Sequence, residues 1–484
     1  MERDAASKRT AVLILVIVSF VALIDGIDGS IANIALPTLA ADMSTDTGTI
    51  SWVTVTYFMM ITGSILLFAR IANNGNIKRV LIAGLIIFTV SSFVCGISDR
   101  LSMLLIARSF QGLGAGMMIG TAPMLCVQHL PPERLALGFG MITMGSSLGY
   151  ASGPAIGGFI IDMLSWHWVF LINIPIALII LPLMVHAVPK DVPDRKTHLD
   201  LKGAVLFMLM TVLGMYALQR SAYAGETAPT MIAAVLSVAF LAAFIATELR
   251  SRTPLINLRV FRNNRFSAVF LAFLLVNLSY MGMLYLIPFY LDINMGLSPT
   301  VSGLYLLVPS VVTLISVVPL SRMADSRKRR RAFGLLASAM LLIACIIWAV
   351  FSPALATVPL MIAFVFMGLT WAACGGAMAG RIVDNTTEES KEMGSSLMIL
   401  ALYIACAVGT SLYAMIFTMY TGSGGIDFPD LPPTTFLNGF VFTWIVSAVL
   451  CALAFVLSYV VREGRQVPPE IRAVETSCGS GADD

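Results

Sequence analysis

Charge is what this chain has least of. Of its 484 residues only 12% are Asp, Glu, Lys or Arg, where soluble globular proteins carry roughly 25%. A soluble fold is excluded, because its surface needs charge however large its core. The 30 basic and 27 acidic residues leave a net charge of +3, and they fall between apolar runs rather than in a stripe, so nucleic acid is excluded as a partner. The four histidines are scattered and support no metal site. Cys95, Cys126, Cys345, Cys374, Cys406, Cys451 and Cys478 lack ligand spacing and read as small hydrophobes. No nucleophile–base set gathers at a shared membrane edge, so an enzyme is not expected. Nor are there the charged rings or filters of a channel. No small-residue cleavage site separates the opening MERDAASKRT from the first apolar run, which predicts a retained helix rather than a signal peptide.

What fills the chain is apolar sequence. Hydrophobic residues make up 58% of it, and the mean hydropathy is +0.88. A bilayer-spanning helix takes about 20 mostly apolar residues. Fourteen runs meet that test, at 11–37, 50–69, 80–97, 101–124, 136–161, 166–187, 202–219, 230–248, 266–290, 300–320, 332–352, 354–380, 394–420 and 437–460. The expected fold class is an all-α polytopic membrane protein with 14 transmembrane helices. Lys and Arg set its orientation. With the N-terminus in the cytoplasm, Arg70, Lys78, Arg79, Arg134, Lys190, Arg195, Lys196, Lys202, Arg250 and the run Arg327 to Arg331 fall inside, and only Arg100 and Arg220 fall outside. Both termini are then cytoplasmic, and the chain belongs in the cell's inner or plasma membrane, in contact with lipid. The tail after Arg462 is polar and reads as disordered.

The chain repeats itself once. ARIANNGNIKR, Ala69 to Arg79, follows the second run, and SRMADSRKRRR, Ser321 to Arg331, follows the tenth at an offset of 252. Arg70 matches Arg322, Ala72 matches Ala324, and Asn73 matches Asp325. Two halves related by a parallel repeat place a substrate path between them. The expected division is a six-helix bundle over 1–190, a linker with two inserted helices over 191–265, a second six-helix bundle over 266–460 and a tail over 461–484. The inserted pair, whose one charge is Glu248 at an end, suits a packing or lateral-gate role. A monomer is expected, since each chain holds both halves; the residues do not decide whether a periplasmic adaptor is needed. Asp325 and Arg331, like Lys78 and Arg79, can pair with helix ends and with the opposite half as a charge latch on an inner gate. The run Arg327 to Arg331 as a whole reads as positive-inside anchoring.

Two carboxylates, Asp25 and Asp28, lie inside the first apolar run. An unpaired carboxylate at hydrocarbon depth is costly, so an intramembrane Asp marks a functional site. Three residues apart, the two share one side of a helix. Arg108 sits about 10 Å, and Asp28 about 13 Å, from the outer end of its own helix at 1.5 Å per residue. Opposite charges at similar depth are natural partners, and Gln111 can extend their network. A partly dehydrated carboxylate can hold a proton near neutral pH and yield it to an arriving cation. Asp28, Arg108 and Asp25 are therefore the expected proton-coupling set. Asp25, Gln111, Tyr57, Phe58, Tyr285 and Phe289 would bind flat lipophilic cations, with Asp292 at the outer rim. Gly145, Gly149, Gly153 and Gly157 recur every four residues, with Pro154 and Gly158 beside them. That is a bare ridge for close helix approach, interrupted by a proline; static packing and a moving interface both fit it.

These segments resemble the major facilitator superfamily, and specifically its fourteen-helix drug:proton antiporter family of bacterial multidrug efflux pumps. IDGSIANIALP, Ile27 to Pro37, resembles the first-helix signature, with Asp28 on its acidic position. ARSFQGLGAG resembles the fourth-helix motif, with Arg108 as its functional Arg. Gly149 to Gly158 resembles the fifth-helix antiporter motif. SWHWVFLINIPI, Ser165 to Ile176, resembles the start of the sixth helix, with His167 where Arg is usual. The likeness covers 11–460. It implies two six-helix bundles plus two inserted helices, and export of quaternary ammonium compounds, dyes or drugs driven by the proton gradient, with no cofactor. The loop after the second helix departs from the family: Ala69, Asn73 and Ile77 stand where Gly, Asp and a basic residue are usual, leaving the gate acid only at Asp325. The extra acids Asp25 and Asp292 favour cationic cargo. The alternatives are a narrow exporter of one metabolite, antibiotic or siderophore, and a transport-inactive membrane receptor.

Overall fold

Apolar surroundings leave the backbone no water to bond, and helices satisfy it internally. The computed structural model, which describes residues 2–45, 50, 52–191, 200–221, 227–251, 255–256, 258–297, 299–324, 327–385, 391–422 and 431–461, contains only helical elements among those residues. Fourteen long rods follow in order: α1 (Glu2–Asp42), α2 (Trp52–Ile71), α3 (Ile77–Gly96), α4 (Leu101–His129), α5 (Leu135–Met163), α6 (Asn173–Ala187, led in by the turn His167–Leu171), α7 (Leu201–Arg220), α8 (Thr227–Arg250), α9 (Asn264–Ile293), α10 (Pro299–Met323), α11 (Arg327–Phe351), α12 (Thr357–Ala373, running on through Cys374–Met378 to Asp384), α13 (Lys391–Thr421) and α14 (Pro433–Val460). Eleven described stretches are long and apolar enough to cross a membrane. One of these, Trp52–Gly96, holds both α2 and α3. The chain turns between them at Gly75, whose φ of +83° favours a residue without Cβ. α7 offers a shorter apolar stretch, Lys202–Leu218. The protein is an all-α polytopic membrane protein.

Packing follows the repeat. α1 packs on α5, α2 on α4, and α3 on both α4 and α6. Eight rods later the pattern recurs, with α9 on α13, α10 on α12, and α11 on both α12 and α14. The two groups meet where α5 packs against α10 and where α13 packs against α2 and α4. α7 lies against α2 and α13 on one side and α8 on the other. Trp52 meets Tyr216 at 5.6 Å, and Phe207 meets Phe244 at 5.4 Å. The central window of α8 is only 11% buried, as an apolar helix facing lipid would be.

Lys78 pairs with a helix end, as expected, but two parts of the charge reading need correction. Lys78 and Arg79 do not reach the opposite group. Their backbone N–H groups donate to Asp191 at 2.8 and 3.0 Å, and Lys78 Nζ donates to the carbonyls of Val185 and Val188. They thereby tie the start of α3 to the end of α6. Nor is the basic run anchoring throughout, because Arg330 is buried. Its Nη1 donates to both oxygens of Asp384 at 2.8 and 2.9 Å, and its Nη2 to the carbonyl of Pro132 at 3.1 Å. A charge-assisted bond to a carboxylate is roughly twice as strong as a neutral one, which offsets the burial of the guanidinium. Arg322 is exposed, Asn73 is half-buried in the α2–α3 turn, and Asp325 lies outside the described residues, as do most of the linker and the tail.

The glycine ridge of α5 faces α1. A Cβ at Gly149 would stand 2.5 Å from the carbonyl oxygen of Leu23 and 2.7 Å from the nitrogen of Ile27. One at Gly157 would stand 2.7 Å from Ile31, and those at Gly145 and Gly153 would overlap Ser19 and Ser30. Gly158, one residue round the helix, meets nothing within 4 Å and is not part of the contact. Pro154 lies within α5, its side chain outside the description. Gly149→Ala is expected to cost about 1–3 kcal/mol through overpacking. Gly158→Ala should be neutral or stabilise by up to about 1 kcal/mol. Thermal unfolding of the two purified variants in detergent checks the contrast.

Candidate functional site

A buried ion pair sits among the first six rods. Asp28 on α1 and Arg108 on α4 are fully buried, and Arg108 Nη1 donates to Asp28 Oδ2 at 2.6 Å. Two more donors satisfy Asp28 Oδ1: Gln111 Nε2 at 2.8 Å and Asn173 Nδ2 of α6 at 2.7 Å. Arg108 Nε donates to the carbonyl of Val53 on α2 at 3.0 Å. The guanidinium lies over the rings of Tyr57, at 4.3 Å, and Phe170, at 5.6 Å. Gln111 also donates to Ser92 of α3 at 2.8 Å and accepts from Arg108 at 2.7 Å and from the Cys95 thiol at 3.6 Å. Five helices thus supply one network, as a buried charge requires. Gln111, expected at a binding surface, is placed wholly inside this network.

Asp25 faces elsewhere. Three residues turn a helix by about 300°, so the two acids diverge by about 60°. Asp25 Oδ1 accepts from the hydroxyl of Tyr57 at 2.9 Å, and Oδ2 accepts from the hydroxyl of Tyr403 on α13. Among the described residues no basic side chain forms an ion pair with it. Tyr57 therefore touches both acids' surroundings, its hydroxyl on Asp25 and its face on Arg108. Sequence reasoning had no route to Tyr403, one of 12 tyrosines with no charge nearby in the chain. Asn173 did leave a signal, as a lone amide in the apolar run LINIPI. Ser92 and Cys95 left none.

A cavity lies between the two groups, bordered by Phe139, Thr143 and Ser146 of α5, Asn277 of α9, Trp371 of α12 and Leu402 of α13. The described residues lining it are all uncharged. Tyr57, Phe58, Tyr285 and Phe289 do not line it. Phe58 packs edge-on to Tyr57 at 5.4 Å, and Tyr285 and Phe289 meet at 5.7 Å on α9. Asp292 falls in the last turn of α9, its side chain outside the description. Among the described residues no cluster of His, Cys, Asp and Glu could hold a metal ion.

The model of the Major Facilitator Superfamily matches residues 18–410. Riboflavin transporter RibZ of Clostridioides difficile (strain 630) is 26% identical over 406 residues, 84% of this chain and 88% of that protein. Multidrug efflux pump SdrM of Staphylococcus aureus (strain N315) is 28% identical over 446 residues, 90% of this chain and 96% of that protein. The crystal structure of the human organic anion transporter MFSD10 (TETRAN) superposes with a TM-score of 0.62 at 13% identity, over 93% of this chain and 99% of that one. That likeness concerns the fold.

Removing one member of a buried pair strands the other. Arg108→Met is expected to cost about 3–5 kcal/mol, and Asp28→Leu a similar amount, while the double variant should cost less than either. A double-mutant cycle on thermal unfolding in detergent measures the coupling.

Proposed function

This chain belongs to the Major Facilitator Superfamily, which makes it a multi-pass membrane transporter rather than an enzyme, and we propose that it exports organic compounds in exchange for protons by alternating access. Carrying this reading is the position of Asp25, an acid held by two neutral hydroxyls where both helix groups meet, one tyrosine away from the Asp28–Arg108 network. An intramembrane acid without a charged partner marks an ion pathway more often than a structural tie. Asp28 and Arg108 hold the network that responds to it. In this scheme residues 1–190 and 266–460 rock against each other, the segment 191–265 flanks their junction, and the glycine ridge lets α5 shift along α1. The transporter works as a monomer in the inner or plasma membrane, both termini cytoplasmic.

In this conformation the cavity is only about 30 Å³, room for about one water. Once the halves part, its uncharged lining, with Asn277, Thr143 and Ser146 as polar groups, favours a narrow class of largely apolar cargo with a hydrogen-bonding group. An uncharged lining binds a neutral ring system without requiring positive charge. A relative named for riboflavin and another named for multidrug efflux stand at nearly the same identity, 26% and 28%, so relatedness does not set the breadth. The second reading, export of lipophilic cations, rests on Asp25 and on the aromatic rings of Tyr57 and Phe58 beside it.

The test is uptake into proteoliposomes under an imposed pH gradient, with riboflavin as a neutral ring probe and ethidium as a cationic one. Gradient-driven flux of riboflavin, reduced at least about tenfold by Asp25→Asn, supports the narrow reading. Flux of ethidium alone shifts it to lipophilic cations. Flux of both that ignores the gradient removes proton exchange.

A further inference from the structure

Of the two bonds to Asp25, one crosses the molecule. Tyr57 belongs to the same helix group as Asp25, and its ring is fixed against the Arg108 guanidinium at 4.3 Å, so its bond travels with α1. Tyr403 lies 378 residues further on, in α13 of the other group. It is buried, as are Asp25 and Tyr57. Any rocking of one group against the other at this depth must either carry the Tyr403–Asp25 bond or break it. We propose that Tyr403 is a positioning residue, a latch between the two halves that holds while Asp25 is ionised and lets go when Asp25 takes a proton. This rests on the proton-exchange reading above and adds to it the contact through which the proton acts.

The chemistry is that of the donor set. An ionised carboxylate only accepts, and its two oxygens here receive two hydroxyl protons. Bonds to an ionised acceptor are roughly twice as strong as neutral ones. A proton added to the carboxylate removes the charge from both bonds and turns one oxygen into a donor. Tyr57 keeps its second hold, the stack on Arg108; among the described residues Tyr403 bonds only Asp25 through its hydroxyl, and it moves with α13. Other groups within range of Asp25 come from each helix around it: Asp28 on α1, Arg108 on α4, Tyr150 on α5 and Cys406 on α13. Arg108 is committed to Asp28, so it does not replace a lost proton at Asp25. From α6 comes Asn173, an amide that does not titrate and is taken up by Asp28.

Nitroxide labels on Met103 of α4 and Leu355 beyond α11, both exposed, report the distance between the halves in the full-length reconstituted protein without needing a cargo. The wild type should shift the ratio of its two distance populations at least about tenfold between about pH 8.5 and pH 5.5. In Tyr403→Phe and Asp25→Asn that shift should shrink below about twofold, with both fixed near the acidic wild-type ratio. Tyr413→Phe is the control, since it loses a buried hydroxyl bonded to Ser447 within the second group at 2.8 Å and should keep the full response. A full response in Tyr403→Phe or in Asp25→Asn overturns the latch while leaving proton exchange standing. A wild-type distance that ignores pH overturns the latch alone if riboflavin or ethidium still follows the gradient, and overturns both if neither does.

Discussion

A carboxylate and a guanidinium buried together in an apolar interior govern the first half of this protein. Each would be prohibitively costly alone, and even paired they need every remaining lone pair and N–H answered. The structure answers most of them with side chains or carbonyls from α1, α2, α3, α4 and α6, while Arg108 Nη2 stays buried without a hydrogen-bond partner among the described residues. Five helices are thereby pinned at one depth by one pair of charges. The apolar faces around them pack tightly but without direction; the charges supply the register.

The second half carries the same packing plan without that pair. At the repeat's offset of 252, Asp25 and Asp28 fall on Asn277 and Tyr280. Tyr280 stacks on Trp371 at 4.7 Å, and Asn277 bonds the carbonyl of Phe273 at 2.7 Å and lines the cavity. Aromatic packing fills the second half elsewhere too: Trp348 stacks on Trp444 at 5.1 Å, and Tyr290 on Phe440 at 4.6 Å. The second half keeps a largely buried ion pair of its own, Arg330 with Asp384, so the asymmetry is local: two acids at positions 25 and 28 against an amide and a phenol at 277 and 280. In the proposed scheme titration acts on the first half, at Asp25, and a neutral cargo would rest largely against the second.

Close approach of backbones holds both within the first half and across the junction. The glycines of α5 bring α1 near enough for the Ser30 hydroxyl to reach the carbonyl of Gly149 at 3.3 Å. Across the junction, Gly375 of the α12 extension meets Thr143 of α5, and Gly140 of α5 meets Ser321 of α10. Backbones this close have few positions open to them, so a change at Asp25 is felt as a change of contact rather than absorbed as slack.

Hydropathy, the placing of Lys and Arg, and the repeated loop were enough to read a polytopic helical protein, because lipid imposes a length and a composition on every span. The acids and Arg108 were legible for the same reason, since charge stands out where solvation is absent. The glycine ridge showed in its four-residue period, which is a property of one helix. Matching depths also disclosed the Asp28–Arg108 pairing and the place of Gln111 in it; what the chain could not disclose was that Asn173 would join them or which hydroxyls Asp25 would meet. A 60° divergence on α1 sends Asp28 to Arg108, Gln111 and Asn173 and sends Asp25 to Tyr57 and Tyr403. Nor could it reveal that Arg330 turns inward to Asp384 and Pro132. Local sequence fixes what a residue costs to bury; only the packing of distant helices decides what compensates it.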